Sequence, residues 1–280
     1  MIVDAHIHVA PPNLPGAGPL HPMLQSPDSM LGALRGEMAA AGVETVLAMG
    51  SISGTDDDPL GVAGILRLTH EVPGLFAVGV ADPRRGDPAH LRRVEADLAT
   101  GRVKALKAYL GYLPHGPDDP GYQPYYQLAD RHRLAVVFHT GDTFSPSARL
   151  RLAHPLLVDD VAVAFPNVRF VLAHFGNPWM ADAAAVVYKN VNVWADLSGL
   201  VVGDAAAFTD EQRQDHRNDT RDALLRAFRY ADRPNRFLYG SDWPLAPMPA
   251  YRDFIAAAIP AQFHEQVFEE NACLVFRLNA

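Results

Sequence analysis

Eight short apolar runs alternate with helical patterns along the 280 residues, and that alternation limits the folds open to this chain more than any other feature. The runs are the first ten residues and residues 43–49, 75–81, 103–109, 134–139, 168–174, 191–197 and 236–240. Helical patterns follow them at 28–41, from Pro59 to about 72, at 87–100, 123–132, about 155–164, about 181–189 and 219–230, with two terminal helices at about 250–258 and 262–278. Asp87-Pro88 suits a helix start, because proline is tolerated in the first turn. Gly42 and Gly101 suit helix ends. Strands that alternate with helices form a parallel sheet with helical crossovers. Eight such units predict one α/β domain spanning residues 1–280, a (β/α)8 TIM barrel, distorted, with additional C-terminal helices. The alternative, an open doubly wound sheet, usually has a glycine-rich turn after its first strand. Here that turn is proline-rich, from 11 to 27.

Composition narrows the function classes. Lys and Arg total 24 against 32 Asp and Glu, a formal charge of −8, with no basic run. Nucleic acid is therefore not an expected partner. No apolar stretch reaches the roughly 18 residues that a membrane span needs, and the first residues form a strand pattern rather than a leader. A lone cysteine, Cys273, excludes an intrachain disulfide and suits a reducing compartment. The expectation is a soluble, cytoplasmic protein acting on a small molecule. Oligomeric state is not readable, although terminal helices of this kind can pack on a second copy and form a homo-oligomer.

Chemistry gathers at the ends of the apolar runs. In the first strand Asp4, His6 and His8 alternate with Val3, Ala5, Ile7 and Val9. A period of two places the three polar residues on one face. In a parallel barrel catalytic groups stand at the C-terminal ends of strands. Those ends carry His6 and His8, Lys107 and Tyr109, His139, His174, and Asp242. Three imidazoles and one carboxylate, His6, His8, His139 and Asp242, suit a divalent ion, zinc first, with manganese, iron or cobalt as alternatives. His174 is then a proton carrier or carbonyl polariser rather than a ligand of a single ion. Asp242 doubles as a catalytic acceptor for a proton from water. Lys107, Tyr109, Asp142 and Trp243 are candidates for substrate contact. Asp4 is expected to orient its neighbours, and Asp196 is either a loop anchor or a polar contact. The competing reading of the His-x-His pair is a hydrogen-bonded core pair, and His174 could equally be a satisfied structural histidine.

The segments Asp4-Ala-His6-Ile-His8, Val-Val-Phe-His139-Thr-Gly, Val-Leu-Ala-His174-Phe-Gly and Tyr-Gly-Ser-Asp242-Trp-Pro resemble those of the amidohydrolase superfamily, in its amidohydrolase-related branch. The closing Glu-Asn271-Ala-Cys-Leu-Val-Phe resembles that branch's terminal helix. The resemblance implies a distorted barrel with a metal on His6, His8, His139 and Asp242, and His174 as the catalytic or second-metal histidine. It also implies hydrolysis of an amide, ester or lactone by metal-activated water. The alternative within the branch is non-oxidative decarboxylation of a small aromatic or unsaturated acid. One ion is expected, or two if Lys107 is carbamylated as in binuclear relatives. The non-enzyme alternative, a barrel retained as a binding protein, would be expected to have lost a ligand, and none is missing.

Overall fold

The computed structural model describes residues 1–9, 27–143, 145–201 and 209–278. Eight parallel strands lie in sequence order, β1 (Val3–Ile7), β2 (Thr45–Met49), β3 (Leu75–Val80), β4 (Val103–Ala108), β5 (Ala135–His139), β6 (Arg169–Ala173), β7 (Val193–Asp196) and β8 (Phe237–Leu238). Helices fill the crossovers: α1 (Pro27–Ala41), α2 (Ala63–Leu68), α3 (Pro88–Ala99), α4 (Gln123–His132), α5 (Leu157–Ala164), α6 (Met180–Lys189) and α7 (Asp210–Ala231), followed by α8 (Met248–Ala258) and α9 (Asn271–Phe276). The fold is the expected TIM barrel with extra C-terminal helices.

Two apolar layers make the core. The inner one takes alternate residues of the strands, among them Val3, Ala5, Leu47, Val78, Ala105, Val137, Val171 and Leu238. Ala272, Val275 and Phe276 of α9 belong to this layer too, so the terminal helix plugs the barrel. The outer layer, with Val46, Ala77, Leu106, Phe138 and Phe237, packs under the helices. Strand parity therefore decides which polar residues reach the barrel axis. Lys107, His139 and Asp196 continue the inner series of Ala105, Val137 and Trp194 and emerge at the C-terminal end.

The first strand departs from strict alternation. A register shift lies between Asp4 and Ile7: Asp4 stands opposite Val46, and Ile7 opposite Ala48. Ala5 is an inner residue and Ile7 an outer one. The extra residue of this bulge re-aims His6. Asp4 thus takes the parity of Val46 and does not share a face with His6 and His8, contrary to the expectation from a period of two. Its Oδ1 accepts from the backbone N–H groups of Ser241 (2.9 Å) and His6 (3.2 Å), so it fastens β1 to the segment after β8.

That seam closes the barrel. Ala5 N donates to Tyr239 O (2.9 Å), Asp242 N to His6 O (2.9 Å) and His8 N to Trp243 O (2.7 Å). Asn271 reinforces it from below, donating to the carbonyls of Pro234 (3.0 Å) and Phe237 (2.8 Å).

Helix α4 matches its expected bounds, and α3 begins behind an Asp87 cap whose carboxylate accepts from Ala89 N and His90 N. Helix α7 corrects the expectation of a start at Asp219. It begins at Asp210, under a capping box in which Thr209 and Gln212 bond each other's backbone. The polar stretch reads as a loop because its face toward the protein is narrow; the Thr-x-x-Gln start signal is the cue that marks it as helix. Helix α2 is shorter than expected, and β8 spans only two residues. The expected loop at 11–27 falls almost wholly outside the described residues, as do residues 203–208 of the segment 203–218. No helix among the described residues is long and apolar enough to cross a membrane.

Candidate active site

His6, His8 and Asp242 converge at the seam. His8 Nε2 lies 3.3 Å and His6 Nε2 3.9 Å from Asp242 Oδ1, and one ligand atom from each of the three falls within 4.8 Å of the others. The imidazoles of His6 and His8 stand 5.3 Å apart, centroid to centroid. Asp242 Oδ1 is buried and has no hydrogen-bond partner among the described residues. A buried carboxylate oxygen without a donor is costly unless something else satisfies it. Asp242 adopts a left-handed backbone, φ 62°, as does His174 at φ 60°. Such conformations are rare away from glycine and cluster at functional sites.

A second group shares His6. Asp196 Oδ2 accepts from His6 Nδ1 at 2.9 Å. Asp196 Oδ1 accepts from the backbone N–H groups of His174 and Ser198, both at 3.1 Å, and from the Ser198 hydroxyl. His174 Nδ1 lies 3.0 Å from Ser198 Oγ and 3.2 Å from the Ser198 carbonyl. Gly199 follows at φ 63°, and a Cβ there would stand 2.7 Å from His174 Nδ1 and 2.8 Å from Asp242 Oδ2. Only glycine leaves room for both side chains.

Burial and charge set the protonation states. Burial, then the Lys107 charge, pushes the His6 imidazole down to about 3 against the pull of Asp196 and Asp242. His174 is also lowered, chiefly by burial, with Asp242 opposing. Burial would raise both carboxylates, but the imidazoles around them win. His174, His8 and His6 hold Asp242 well below the usual carboxylate range, and His6, His174 and Lys107 do the same for Asp196. Lys107 is 1% exposed. Burial pushes its ammonium down to about 8, with Asp196 and Asp242 resisting.

The other expected residues divide. Lys107 is not at the rim but within the cluster, its Nζ 3.4 Å from His6 Nε2 and 5.6 Å from the Tyr109 ring centroid. His139 borders the cluster, its ring 4.9 Å from that of His174, and its Nε2 donates to the Asp142 carbonyl at 2.9 Å. It is not in the three-residue group. The Asp142 carboxylate is on an exposed residue. The Tyr109 hydroxyl donates to the Gly50 carbonyl at 2.6 Å. Trp243 is a buried member of the outer core, and its backbone pairs with β1. Three residues gain a meaning that the sequence alone does not give them. Asp196 reads there only as an anchor or polar contact, Ser198 carries no signal beyond its place after a strand, and Tyr112 sets its ring against His139 at 4.8 Å.

Comparison with known proteins places this arrangement. A family model described as amidohydrolase matches residues 3–278. Among solved structures, a 2,6-dihydroxybenzoate decarboxylase from Rhizobium superposes with a TM-score of 0.72 at 15% identity, covering 100% of this chain and 99% of its own. A Burkholderia multivorans amidohydrolase with bound zinc gives 0.70 at 19% identity, covering 99% of each chain. A probable 2-pyrone-4,6-dicarboxylic acid hydrolase from Acinetobacter baumannii, with citric acid bound, gives 0.68 at 13% identity, again over 99% of each. At these identities the structures share the fold. No curated protein matches the sequence.

Proposed function

The chain belongs to the amidohydrolase family, and on that premise we propose that it is a metal-dependent hydrolase of a small-molecule amide, ester or lactone, working at the C-terminal mouth of the barrel. The observation that carries the reading is the unpartnered, buried Asp242 Oδ1 facing two imidazole nitrogens. The donor set fits a borderline divalent ion, zinc first, since two imidazoles and a carboxylate are common ligands of zinc. The bound zinc of the Burkholderia relative supports that choice. His139 is proposed as a fourth donor. A carbonyl only accepts, so its Nε2 carries the proton given to Asp142, and Nδ1 is its free donor nitrogen.

A bound ion would supply Lewis acidity, polarising a carbonyl and activating water. The chain's own residues do the rest. His174 is neutral near pH 7, and its Nδ1 is held by Ser198. Nε2 is therefore the nitrogen that takes a proton from water and returns it to the leaving group. Asp242, fully ionised, serves as ligand and as a second acceptor through Oδ2. Lys107 remains an unmodified lysine in this proposal, with a single ion in the site. Its buried position also supports a second reading: a cation beside the donors would bind a substrate carboxylate, and His174, having taken a proton from water at Nε2, would pass it to the carbon as carbon dioxide leaves, the hydroxide being left for the carbon dioxide. The Rhizobium neighbour carries the name of such an enzyme.

Two measurements test this. Elemental analysis of purified protein is expected to find about one divalent ion per chain, lost in Asp242→Asn and reduced in His8→Ala. Protein that neither holds nor takes up a divalent ion would refute the metal site. Product analysis in 18O-water, across lactones, esters, amides and aromatic acids, separates the two reactions. Carbon dioxide released without label in the organic product would overturn hydrolysis.

A further inference from the structure

Two clusters of potential ligand atoms share His6, one through Asp242 and His8, the other through Asp196 and His174. Their carboxylates differ in what they still have to offer. Asp196 receives four donors: His6 Nδ1, His174 N, Ser198 N and the Ser198 hydroxyl. A carboxylate has about four lone-pair sites, two on each oxygen: three donors crowd Oδ1, and Oδ2, which takes His6 Nδ1, keeps one, so most of what Asp196 can accept is already taken up inside the protein. Asp242 Oδ1 makes no hydrogen bond among the described residues, and the His8 and His6 Nε2 atoms stand 3.3 and 3.9 Å from it. We propose that Asp196 and Ser198 are a positioning pair that fixes the protons of His6 and His174 on Nδ1, leaving both Nε2 lone pairs for the reaction site, with Asp196 itself not a metal ligand.

The proton positions follow by elimination. A carboxylate only accepts, so His6 Nδ1 carries a hydrogen toward Asp196 Oδ2 at 2.9 Å. The Lys107 ammonium only donates, so His6 Nε2, 3.4 Å away, accepts. The single Ser198 hydroxyl proton goes to Asp196 Oδ1. Ser198 Oγ must then accept from His174 Nδ1 at 3.0 Å, and the Ser198 carbonyl, at 3.2 Å, accepts from the same nitrogen. Both imidazoles are therefore Nδ1–H tautomers. A carboxylate behind a ligating histidine orients the ring and raises its basicity. Here one carboxylate on β7 addresses a ring on β1 directly, and a ring after β6 through Ser198. The sequence separation of the direct pair is 190 residues, so only barrel closure creates it.

The tautomer part stands on metal-free protein, while the affinity part rests on the proposed metal site. Long-range 1H–15N NMR of 15N-histidine protein, without metal, with His6→Gln and His174→Gln used for assignment, reads each ring directly. The expected result is a protonated Nδ1 and an unprotonated Nε2 in both. Ser198→Ala loses the hydroxyl but keeps the backbone carbonyl that accepts from His174 Nδ1, so it is expected to weaken the Nδ1–H preference of His174 without reversing it while His6 keeps its own pattern, and Asp196→Asn to mix the two forms of His6. In competition with a chromophoric chelator, Asp196→Asn is expected to bind zinc about 10–100-fold more weakly. Its Co²⁺ absorption bands should keep the wild-type pattern, because no ligand has been removed. Nε2–H tautomers in wild type would overturn the proposal. So would a Co²⁺ spectrum in Asp196→Asn showing a lost ligand. Wild type that binds neither zinc nor cobalt would refute the proposed metal site, and the metal-free tautomers would still decide the positioning role. If Asp196→Asn does not fold, the wild-type tautomers and Ser198→Ala decide it.

Discussion

Replacing Gly199 by alanine is the sharpest single perturbation of this structure, because two independent costs meet at one atom. The first is conformational. At φ 63° an L-residue places Cβ against its own backbone, at about 1–2 kcal/mol. The second is steric. The new methyl would lie 2.7 Å from His174 Nδ1 and 2.8 Å from Asp242 Oδ2. Neither partner can yield freely, since His174 is tied to Ser198 and Asp242 is anchored by its own N–H to the His6 carbonyl. Overpacking of this kind costs about 1–3 kcal/mol. The sum is about 2–5 kcal/mol, or a fall of roughly 4–10 °C in Tm at about 2 °C per kcal/mol for a chain of this size. Differential scanning calorimetry of metal-free protein measures the loss, and a second scan with excess zinc measures the stabilisation by ligand. Gly199→Ala is expected to lower the first and shrink the second, since Asp242 is displaced. A variant within about 1 °C of wild type, well short of that fall, with an undiminished zinc shift, would show that the close approach at Gly199 is wrong.

The other predictions concern sites away from the mouth. Gly32 and Gly36 lie on α1, where an added methyl group would meet nothing within 4 Å, so Gly36→Ala is expected to stabilise by about 0.5–1 kcal/mol, read as a higher urea midpoint. A lower midpoint would contradict the exposed helical setting. His90 is fully buried against the Tyr125 hydroxyl at 3.0 Å, and burial, then Arg85, lowers its imidazole below the ordinary 6.5. The native state therefore binds fewer protons than the unfolded one. Its stabilising contribution is complete above pH 6.5 and is lost as the pH falls through the native value, by at most about 1.4 kcal/mol per pH unit. His90→Gln should flatten the loss of stability as the pH falls below the ordinary 6.5, and an unchanged slope would refute the assignment. Asn271→Ala removes two donors at the β8 seam and is expected to cost about 2–4 kcal/mol in denaturant unfolding, with loss below about 1 kcal/mol as the contrary result.

Much of the fold was legible because a parallel barrel writes itself locally. Each strand is a continuous apolar run, each helix has its own start and stop, and the bounds of α4 follow from local signals alone. The site was legible where a residue type is unusual for its place, as with two histidines on a strand or an aspartate after Tyr-Gly-Ser. Asp196 is visible in the sequence, but its role is not. A carboxylate at a strand end is common, and its meaning lies in four donors from β1, the segment after β6 and its own turn. Parity in β1 failed for a related reason. The bulge is decided by pairing with β2 and by the seam, and the alternation of Asp4, His6 and His8 gives no sign of it. His139 shows the same limit: its place at a strand end is readable, but not the backbone carbonyl of Asp142 that holds its Nε2.

The seam has a consequence for how the protein comes to life. Ser241 N reaches Asp4 across 237 residues, and the same few hydrogen bonds that shut the barrel also set His6 and His8 beside Asp242. Contacts of such long range form late, after the entropy of closing the intervening chain has been met by local structure. A growing chain therefore carries its histidines from the outset but has no ligand cage until its last strand arrives. If the proposed metal site is right, capture of an ion would be the event that reports a finished barrel, and it would reward closure with binding energy that no partly built intermediate can claim.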